Sequence, residues 1–240
     1  SYVSPLAYIR TNIEGTYNVL ESAKNYNLDQ ILITSTSETY GSAKYVPIDE
    51  KHPLLGQSPY AASKIGADHL ALSYYLSFNL PVKIVRPFNT YGPRQSLRAI
   101  IPTIISQALD KDKNIKLGNL SPTRDFLYVK DACTGFLKIL ESKKLFGETV
   151  NIGVNSEISM ENLAYKIIKI INFDKKIKIK EDSKRIRPKK SEIERLCCNN
   201  KKILENTSWK PIYDLNKGLK ETIAWFKKFN NLHKSKIYNI

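Results

Sequence analysis

Two short stretches of the 240-residue sequence carry side chains that could do acid–base chemistry. In the first, Thr36, Ser37 and Glu38 follow an apolar, β-branched run at residues 31–33. A buried parallel strand has this composition, and ligands in open α/β sheets bind beyond the carboxyl ends of the strands. We therefore expect these three side chains to face a catalytic site. The alternative is that Glu38 caps a loop or pairs with a nearby lysine at the surface.

The second stretch, Tyr60-Ala61-Ala62-Ser63-Lys64, places a phenol and an ammonium one helical turn apart on one face. A neighbouring cation lowers the pKa of a phenol, so Tyr60 could exchange a proton with a substrate hydroxyl. Other pairs share this spacing by chance: Tyr40/Lys44, Tyr165/Lys169 and Tyr213/Lys217. Tyr60 differs because Pro59 begins its helix and small residues occupy the first turns. We interpret Tyr60/Lys64 as functional and the other pairs as surface residues.

Helical and strand patterns alternate in the first part of the chain. Residues 8–25 and 60–78 have apolar side chains at helical spacing, and residues 30–36 and 80–85 have the composition of buried strands. This order predicts an α/β fold with a Rossmann-like parallel sheet.

Beyond Asn89 the predicted elements become shorter. Strands are predicted at residues 115–118, 126–129, 150–153 and 177–180, and helices at 100–109, 131–142, 160–171 and 215–229. We expect residues 1–92 to form part of a nucleotide-binding domain with the catalytic residues. Residues 93–240 should form mainly a smaller α+β lobe for the substrate.

Composition narrows the class of protein. A hydrophobic content of 42% suits a globular chain, and no apolar run approaches the 20 or so residues of a membrane helix. Three cysteines, two of them adjacent, give neither a disulfide framework nor zinc-site spacing, so we expect no metal and a cytoplasmic setting. The net charge of +15 is interpreted as a lysine-rich surface rather than a nucleic-acid site.

Several motifs together resemble one family. They are Thr34-Ser35-Thr36-Ser37-Glu38-Thr39-Tyr40-Gly41, Ser58-Pro59-Tyr60-Ala61-Ala62-Ser63-Lys64, Arg86-Pro87-Phe88-Asn89-Thr90-Tyr91-Gly92-Pro93 and Arg124-Asp125-Phe126-Leu127-Tyr128-Val129-Lys130-Asp131. In this order they are similar to the extended short-chain dehydrogenase/reductase family of nucleotide-sugar epimerases and dehydratases. Within it, the triplet Thr36-Ser37-Glu38 resembles that of 4,6-dehydratases, whereas epimerases usually lack the carboxylate.

The resemblance implies a mechanism with NAD as a recycled cofactor. Tyr60, assisted by Lys64 and Thr36, takes the C4 hydroxyl proton as hydride passes to NAD. Glu38 then removes the C5 proton while water leaves C6, with help from Ser37 or an ordered water. Hydride returns to C6, which yields a 4-keto-6-deoxy sugar.

The resemblance also assigns binding residues and a partner. Ser35, Tyr60, Lys64 and Pro87 would contact NAD. The nucleotide-sugar would be bound by Asn89, Arg124 and Arg187, with Arg94 and Arg98 flanking the cleft. Family members usually form homodimers through helices like residues 8–25 and 60–78, and we expect the same here, with no membrane or nucleic-acid partner.

The family's Gly-rich turn for the NAD pyrophosphate has no counterpart in this sequence. We therefore expect a fragment that lacks the N-terminal strands of the sheet and that is inactive by itself. Two alternatives stay open: a 4-epimerase of the same fold, and a non-catalytic relative that binds nucleotides or nucleic acid through its positive charge.

Overall fold

The computed structural model describes residues 1–110, 114–171, 177–186 and 188–229. Its helices are α1 Pro5–Ile9, α2 Gly15–Asn25, α3 Pro59–Phe78, α4 Ile100–Leu109, α5 Val129–Glu141, α6 Met160–Ile171, α7 Lys201–Asn206 and α8 Leu215–Lys228. Its strands are β1 Ile31–Thr34, β2 Val82–Pro87, β3 Asn89–Tyr91, β4 Asn114–Leu117, β5 Thr123–Tyr128, β6 Thr149–Ile152, β7 Glu157–Ser159, β8 Lys178–Glu181 and β9 Arg195–Leu196. No helix in these ranges combines the length and the apolarity that crossing a membrane requires.

The predicted Rossmann-like parallel sheet is confirmed. Strands β1, β2 and β6 are parallel and lie in the order β1-β2-β6, with Ile33 opposite Ile84 and Val85 opposite Val150. Strand β6 comes from the second part of the sequence, so the chain returns to the first lobe after leaving it. Among the described residues, no strand pairs with the other edge of β1.

Helices cover both faces of this sheet. Leu20 of α2 and Ala71 of α3 pack with Ile33 and Ile84 on one side. On the other side, α5 packs through Ala132 and Ile139 against β2 and β6. Buried apolar faces of this kind supply most of the stability of such helices. They hold the carboxyl ends of β1 and β2 next to the start of α3.

Ser58 and Pro59 determine where helix α3 begins. Ser58 caps it by accepting a hydrogen bond from the Ala61 amide at 3.1 Å, and Pro59 occupies the first turn. The helix ends at Asn79, whose left-handed backbone (φ 54°) terminates the hydrogen-bond ladder. Tyr60 therefore lies in the first turn, at the same sheet edge as Thr36.

The second lobe consists of a small mixed sheet, a two-stranded sheet and several helices. Strand β5 pairs with β3 and β9 in parallel and with β7 antiparallel, and β4 pairs with β8. Helices α4, α6 and α8 enclose a core that includes Ile104, Leu163 and Phe226. Strands β3, β7 and β9 were not predicted, because two or three residues are too few to show a period of two.

Candidate active site

The backbone turns sharply at the end of β1 and exposes the first group of functional side chains. Thr36 is extended (φ −157°, ψ 150°) and caps a 3₁₀-helix, Ser37–Tyr40, by accepting a hydrogen bond from the Glu38 amide at 3.3 Å. Thr39 closes the turn by donating to the Thr36 carbonyl at 2.8 Å. This turn leaves Glu38 half-buried beside Thr36, while Ser37 is buried at 3% exposure.

Tyr60 meets this turn from the first turn of α3. Its ring packs edge-to-face on Tyr8, with the two ring centroids 5.8 Å apart. Burial raises the pKa of Tyr60, the nearby Thr36 hydroxyl acts in the opposite direction, and the Glu38 charge raises the pKa further. The expected lowering of this pKa is wrong for the structure, because desolvation is the largest cause of the shift and Lys64 is not among its causes.

The Lys64 ammonium points to the strand end. Its Nζ donates to the Thr34 carbonyl at 2.5 Å, and burial lowers its pKa against the opposing pull of Asp68. The structure thus brings together Thr36, Glu38, Tyr60 and Lys64 at the carboxyl end of β1. A phenol, a carboxylate and an ammonium at one point can move protons between substrate atoms.

A buried ion pair lies beneath these residues, and the sequence analysis missed it. Asp68 follows Lys64 by one helical turn, and its Oδ2 accepts bonds from Arg86 Nη2 at 2.9 Å and Nε at 3.0 Å. The Ser35 hydroxyl donates to the same oxygen at 2.7 Å. The recurrence of polar residues at positions 60, 64 and 68 of one helix was a signal that could have revealed it.

Further buried contacts connect Arg86 with strand β6. The Arg86 guanidinium lies 4.9 Å from the centre of the Tyr40 ring, and the Tyr40 hydroxyl donates to Asn151 Oδ1 of β6 at 2.7 Å. Burial raises the pKa of Tyr40 to about 12, so this phenol remains neutral. The Asn151 amide donates to Glu50 at 2.8 Å. The turn at Thr36 is therefore held from below by buried polar groups.

Two grooves open beside β1. One, of about 360 Å³, has a mixed polar and apolar lining that includes Asn12, Thr16, Thr34 and Lys64. The other, of about 580 Å³, is apolar and is lined by Leu32, Pro87, Thr90, Val129, Ala132, Cys133, Phe136, Leu137 and Leu140. Pro87 lies in the apolar groove. The Ser35 hydroxyl donates to Asp68, and the Ser35 amide donates to the Val85 carbonyl. The carbonyl of Ser35 is therefore the polar group of this residue that remains for a ligand.

A cavity of about 560 Å³ lies in the second lobe. Asn89, Arg98 and Arg124 line it, as the sequence predicted, and so do Arg185 and Tyr2, which the sequence analysis did not assign. Asn89 Oδ1 is buried and has no hydrogen-bond partner among the described residues, so an acceptor remains available there. Arg124 is nearly buried and pairs with Glu192 at 3.5 Å.

Two predicted substrate contacts remain, Arg94 and Arg187, and only Arg94 belongs to the described residues. Arg94 is exposed in a left-handed conformation (φ 67°) and is not part of the cavity wall. Arg187 lies outside the described residues.

Comparison with known proteins points to one family. A family model described as GDP-mannose 4,6 dehydratase matches residues 1–222. A dTDP-D-glucose 4,6-dehydratase of Dictyostelium discoideum is 39% identical over 71% of this chain and 42% of its own length. A putative UDP-glucose 4-epimerase of Methanocaldococcus jannaschii is 34% identical over 91% of this chain and 70% of its own length.

Solved structures agree with these matches. The crystal structure of dTDP-glucose 4,6-dehydratase from Bacillus anthracis in complex with NAD superposes with a TM-score of 0.86 at 33% identity. The match covers 96% of this chain and 71% of that one. The chain thus spans less than half of the Dictyostelium relative and about 70% of the other two.

Proposed function

Because the chain belongs to the family described as GDP-mannose 4,6 dehydratase, we propose that it carries the catalytic and substrate-binding residues of an NAD-dependent nucleotide-sugar 4,6-dehydratase. The observation that carries this proposal is the position of Glu38, whose charge acts directly on Tyr60 at the end of β1. An oxidation at C4 needs only the phenol, whereas loss of water across C5 and C6 also needs a base for the C5 proton.

The residues beside β1 fit the nicotinamide half of NAD. The groove that contains Lys64 offers an ammonium, an amide and hydroxyls, which suit the hydroxyls of a ribose. Lys64 and Tyr60 would hold this ribose, and Pro87 and the Ser35 carbonyl would border the ring. When bound, NAD supplies reversible hydride exchange with the sugar.

Tyr60 moves the proton of the C4 hydroxyl. To take this proton Tyr60 must start as the phenolate; burial disfavours that form, which makes it a strong base, and the neutral phenol left after proton transfer is the favoured form in the site. Thr36, whose hydroxyl acts on the Tyr60 phenol, is placed to hold the same hydroxyl. Lys64 keeps a positive charge next to the strand end, where it favours loss of the proton.

Glu38 removes the C5 proton. The C5 proton is acidic once C4 is a ketone, and a half-buried carboxylate close to Tyr60 is a suitable base. Ser37 is nearly fully buried and is therefore the weaker candidate for protonating the departing C6 hydroxyl. An ordered water is the alternative donor for that step.

The second-lobe cavity would bind the nucleotide diphosphate. Guanidinium groups bind phosphates through charge-assisted hydrogen bonds. We assign Arg124, Arg98 and Arg185 to the diphosphate and Asn89 to its sugar side, with Arg187 as an additional candidate outside the described residues. Under this proposal residues 1–92 hold the catalytic groups and residues 93–240 mainly the substrate.

The test is to incubate the full-length protein that contains this chain with NAD and, separately, dTDP-glucose, GDP-mannose or UDP-N-acetylglucosamine. We expect a 4-keto-6-deoxy product, detected by its absorbance in base. The variant Glu38→Gln should lose it by at least about a hundredfold, the usual range for a catalytic base. The exposed Glu161→Gln serves as the matched control.

The same-fold alternative is a 4-epimerase, which the identity to the Methanocaldococcus jannaschii relative favours. It predicts the C4 epimer as the sole product and little effect of Glu38→Gln. That result would overturn the dehydratase proposal.

We also propose a cytoplasmic homodimer with no nucleic-acid partner. Exposed apolar side chains occur on the first three helices and their flanks: Leu6, Ile9, Tyr17, Val19, Leu76 and Phe78. Association through α2 and α3 would remove such side chains from water. Light scattering of the wild-type protein and of Leu76→Asp tests this, since the variant should be monomeric.

A further inference from the structure

Gln57 connects the two lobes, and neither the mechanism nor the sequence motifs use it. It lies three residues before Tyr60, in the loop that leads into α3. Its Oε1 accepts a hydrogen bond from the Ser42 amide, and its Nε2 donates to the Lys190 carbonyl at 2.9 Å. Because one partner is a donor and the other an acceptor, the orientation of the amide is fixed.

The backbone around Gln57 is built for this contact. Gly41 has a positive φ of 63°, and a Cβ at that position would lie 2.7 Å from Gln57 Oε1. The same Cβ would lie 2.6 Å from the Leu55 carbonyl oxygen and would be strained by the positive φ, so glycine keeps this space open for the Gln57 amide. Gly41 directly follows the 3₁₀-helix that carries Glu38, so Gln57 contacts the catalytic turn on one side.

On its other side Gln57 contacts residues 188–192, which we call the wall segment. Pro188 and Glu192 of the wall segment line the second-lobe cavity, and Glu192 pairs with Arg124 at 3.5 Å. The segment folds on itself through a bond from the Ser191 amide to the Pro188 carbonyl at 2.8 Å. The Ser191 hydroxyl also meets the Tyr2 hydroxyl at 2.8 Å.

We propose that Gln57 is a positioning residue that fixes the wall segment relative to Tyr60, and so fixes the distance between the diphosphate and the reacting sugar carbons. The inference takes its ligand from the proposed function: a hexose joined to a nucleoside diphosphate. Without the Gln57 contact, the wall segment must be ordered when the ligand binds, and this cost weakens binding.

Two variants separate the halves of the contact. Gln57→Glu keeps an acceptor for the Ser42 amide but places a carboxylate oxygen against the Lys190 carbonyl, whereas Gln57→Ala removes both bonds. Gln30→Glu is the matched control, because Gln30 lies at the opposite, amino end of β1, where it accepts a bond from Lys83.

The first measurement is hydrogen exchange of the ligand-free proteins. We expect the amides of residues 190–192 to exchange severalfold faster in both Gln57 variants than in the wild type and in Gln30→Glu. Unchanged exchange in Gln57→Glu would overturn the inference, whatever the protein's function.

The second measurement is calorimetric binding of UDP, dTDP and GDP, each separately, together with steady-state kinetics on the accepted nucleotide-sugar. One lost hydrogen bond changes an equilibrium by roughly two- to tenfold. We expect a rise of that size in Kd and KM for Gln57→Glu, with kcat nearly unchanged, because Tyr60, Lys64 and Glu38 remain in place. A merely structural role would lower the melting temperature and leave KM unchanged.

These measurements distinguish a failure of the positioning role of Gln57 from a failure of the proposed function. If the wild type binds none of the nucleotides, the proposed function fails and the exchange data still decide the role of Gln57. If the wild type binds one of them and Gln57→Glu binds it equally well, the positioning role is refuted.

Discussion

The buried ion pair between Asp68 and Arg86 should be costly to break from one side. Both side chains are about 5% exposed, and Asp68 Oδ2 accepts two hydrogen bonds from Arg86 and one from Ser35. Replacing Asp68 with Asn leaves the guanidinium buried without its counter-charge, and loss of one member of such a pair costs about 3–5 kcal/mol.

In a chain of this size each kcal/mol shifts the melting temperature by about 2–4 °C, so Asp68→Asn should melt roughly 6–20 °C lower. The assay is thermal and urea denaturation of wild type, Asp68→Asn and the double variant Asp68→Leu/Arg86→Met. The double variant removes both charges and should be far closer to wild type, because buried pairs are often replaceable by apolar residues.

The reasoning would be refuted by an Asp68→Asn protein within about 1 kcal/mol of wild type, or by a double variant as unstable as the single one. Either result would mean that water reaches the pair and that the charges are solvated. The consequence for the site is direct, since Ser35 at the end of β1 is bonded to the same carboxylate oxygen.

Three further predictions follow from the described contacts. In the NAD-free protein, Tyr60 should ionise above the usual phenol pKa of about 10, because burial raises its pKa. The pH dependence of the difference in phenolate absorbance between wild type and Tyr60→Phe measures this ionisation. Ionisation of Tyr60 below pH 9 would contradict the prediction. Ser37→Ala should lower kcat by no more than about tenfold, well below the usual range for a general acid, and a larger fall would make Ser37 the proton donor. Lys83 is fully buried and donates to the carbonyls of Ile139, Leu140 and Ser142 at the end of α5. Lys83→Met should therefore reduce the free energy of unfolding, measured by urea denaturation, by about 1–3 kcal/mol. An unchanged free energy of unfolding would show that water replaces the ammonium.

The parts of the fold that the sequence predicted are those with long, regular patterns. Helix α3 starts with a proline and runs for twenty residues, and β2 is buried on both faces around Val82, Ile84 and Val85. The meeting of Thr36 and Tyr60 followed from the rule that sites lie at the carboxyl ends of parallel strands. These features depend on local sequence and on one topological rule.

The parts that it missed depend on tertiary contacts. The direction of the Tyr60 pKa shift was wrong, because burial is a property of the folded chain and not of a Tyr-Lys spacing. Asp68 pairs with Arg86, eighteen positions away and on a different element, and nothing in either local pattern announces the partner. Arg185 lines the second-lobe cavity, but no pattern in the sequence assigns it there, because its place in the wall depends on how the second lobe folds.

The bond between Tyr40 and Asn151 has a consequence for the order in which the protein assembles. The two residues are 111 positions apart, and Asn151 belongs to the strand with which the chain returns to the first sheet. Contacts of such large sequence separation form slowly, because the intervening loop must close first. The turn that carries Glu38 should therefore reach its final form only after β6 has docked, so a chain cut at residue 92 would contain every acid–base group and still lack an assembled site.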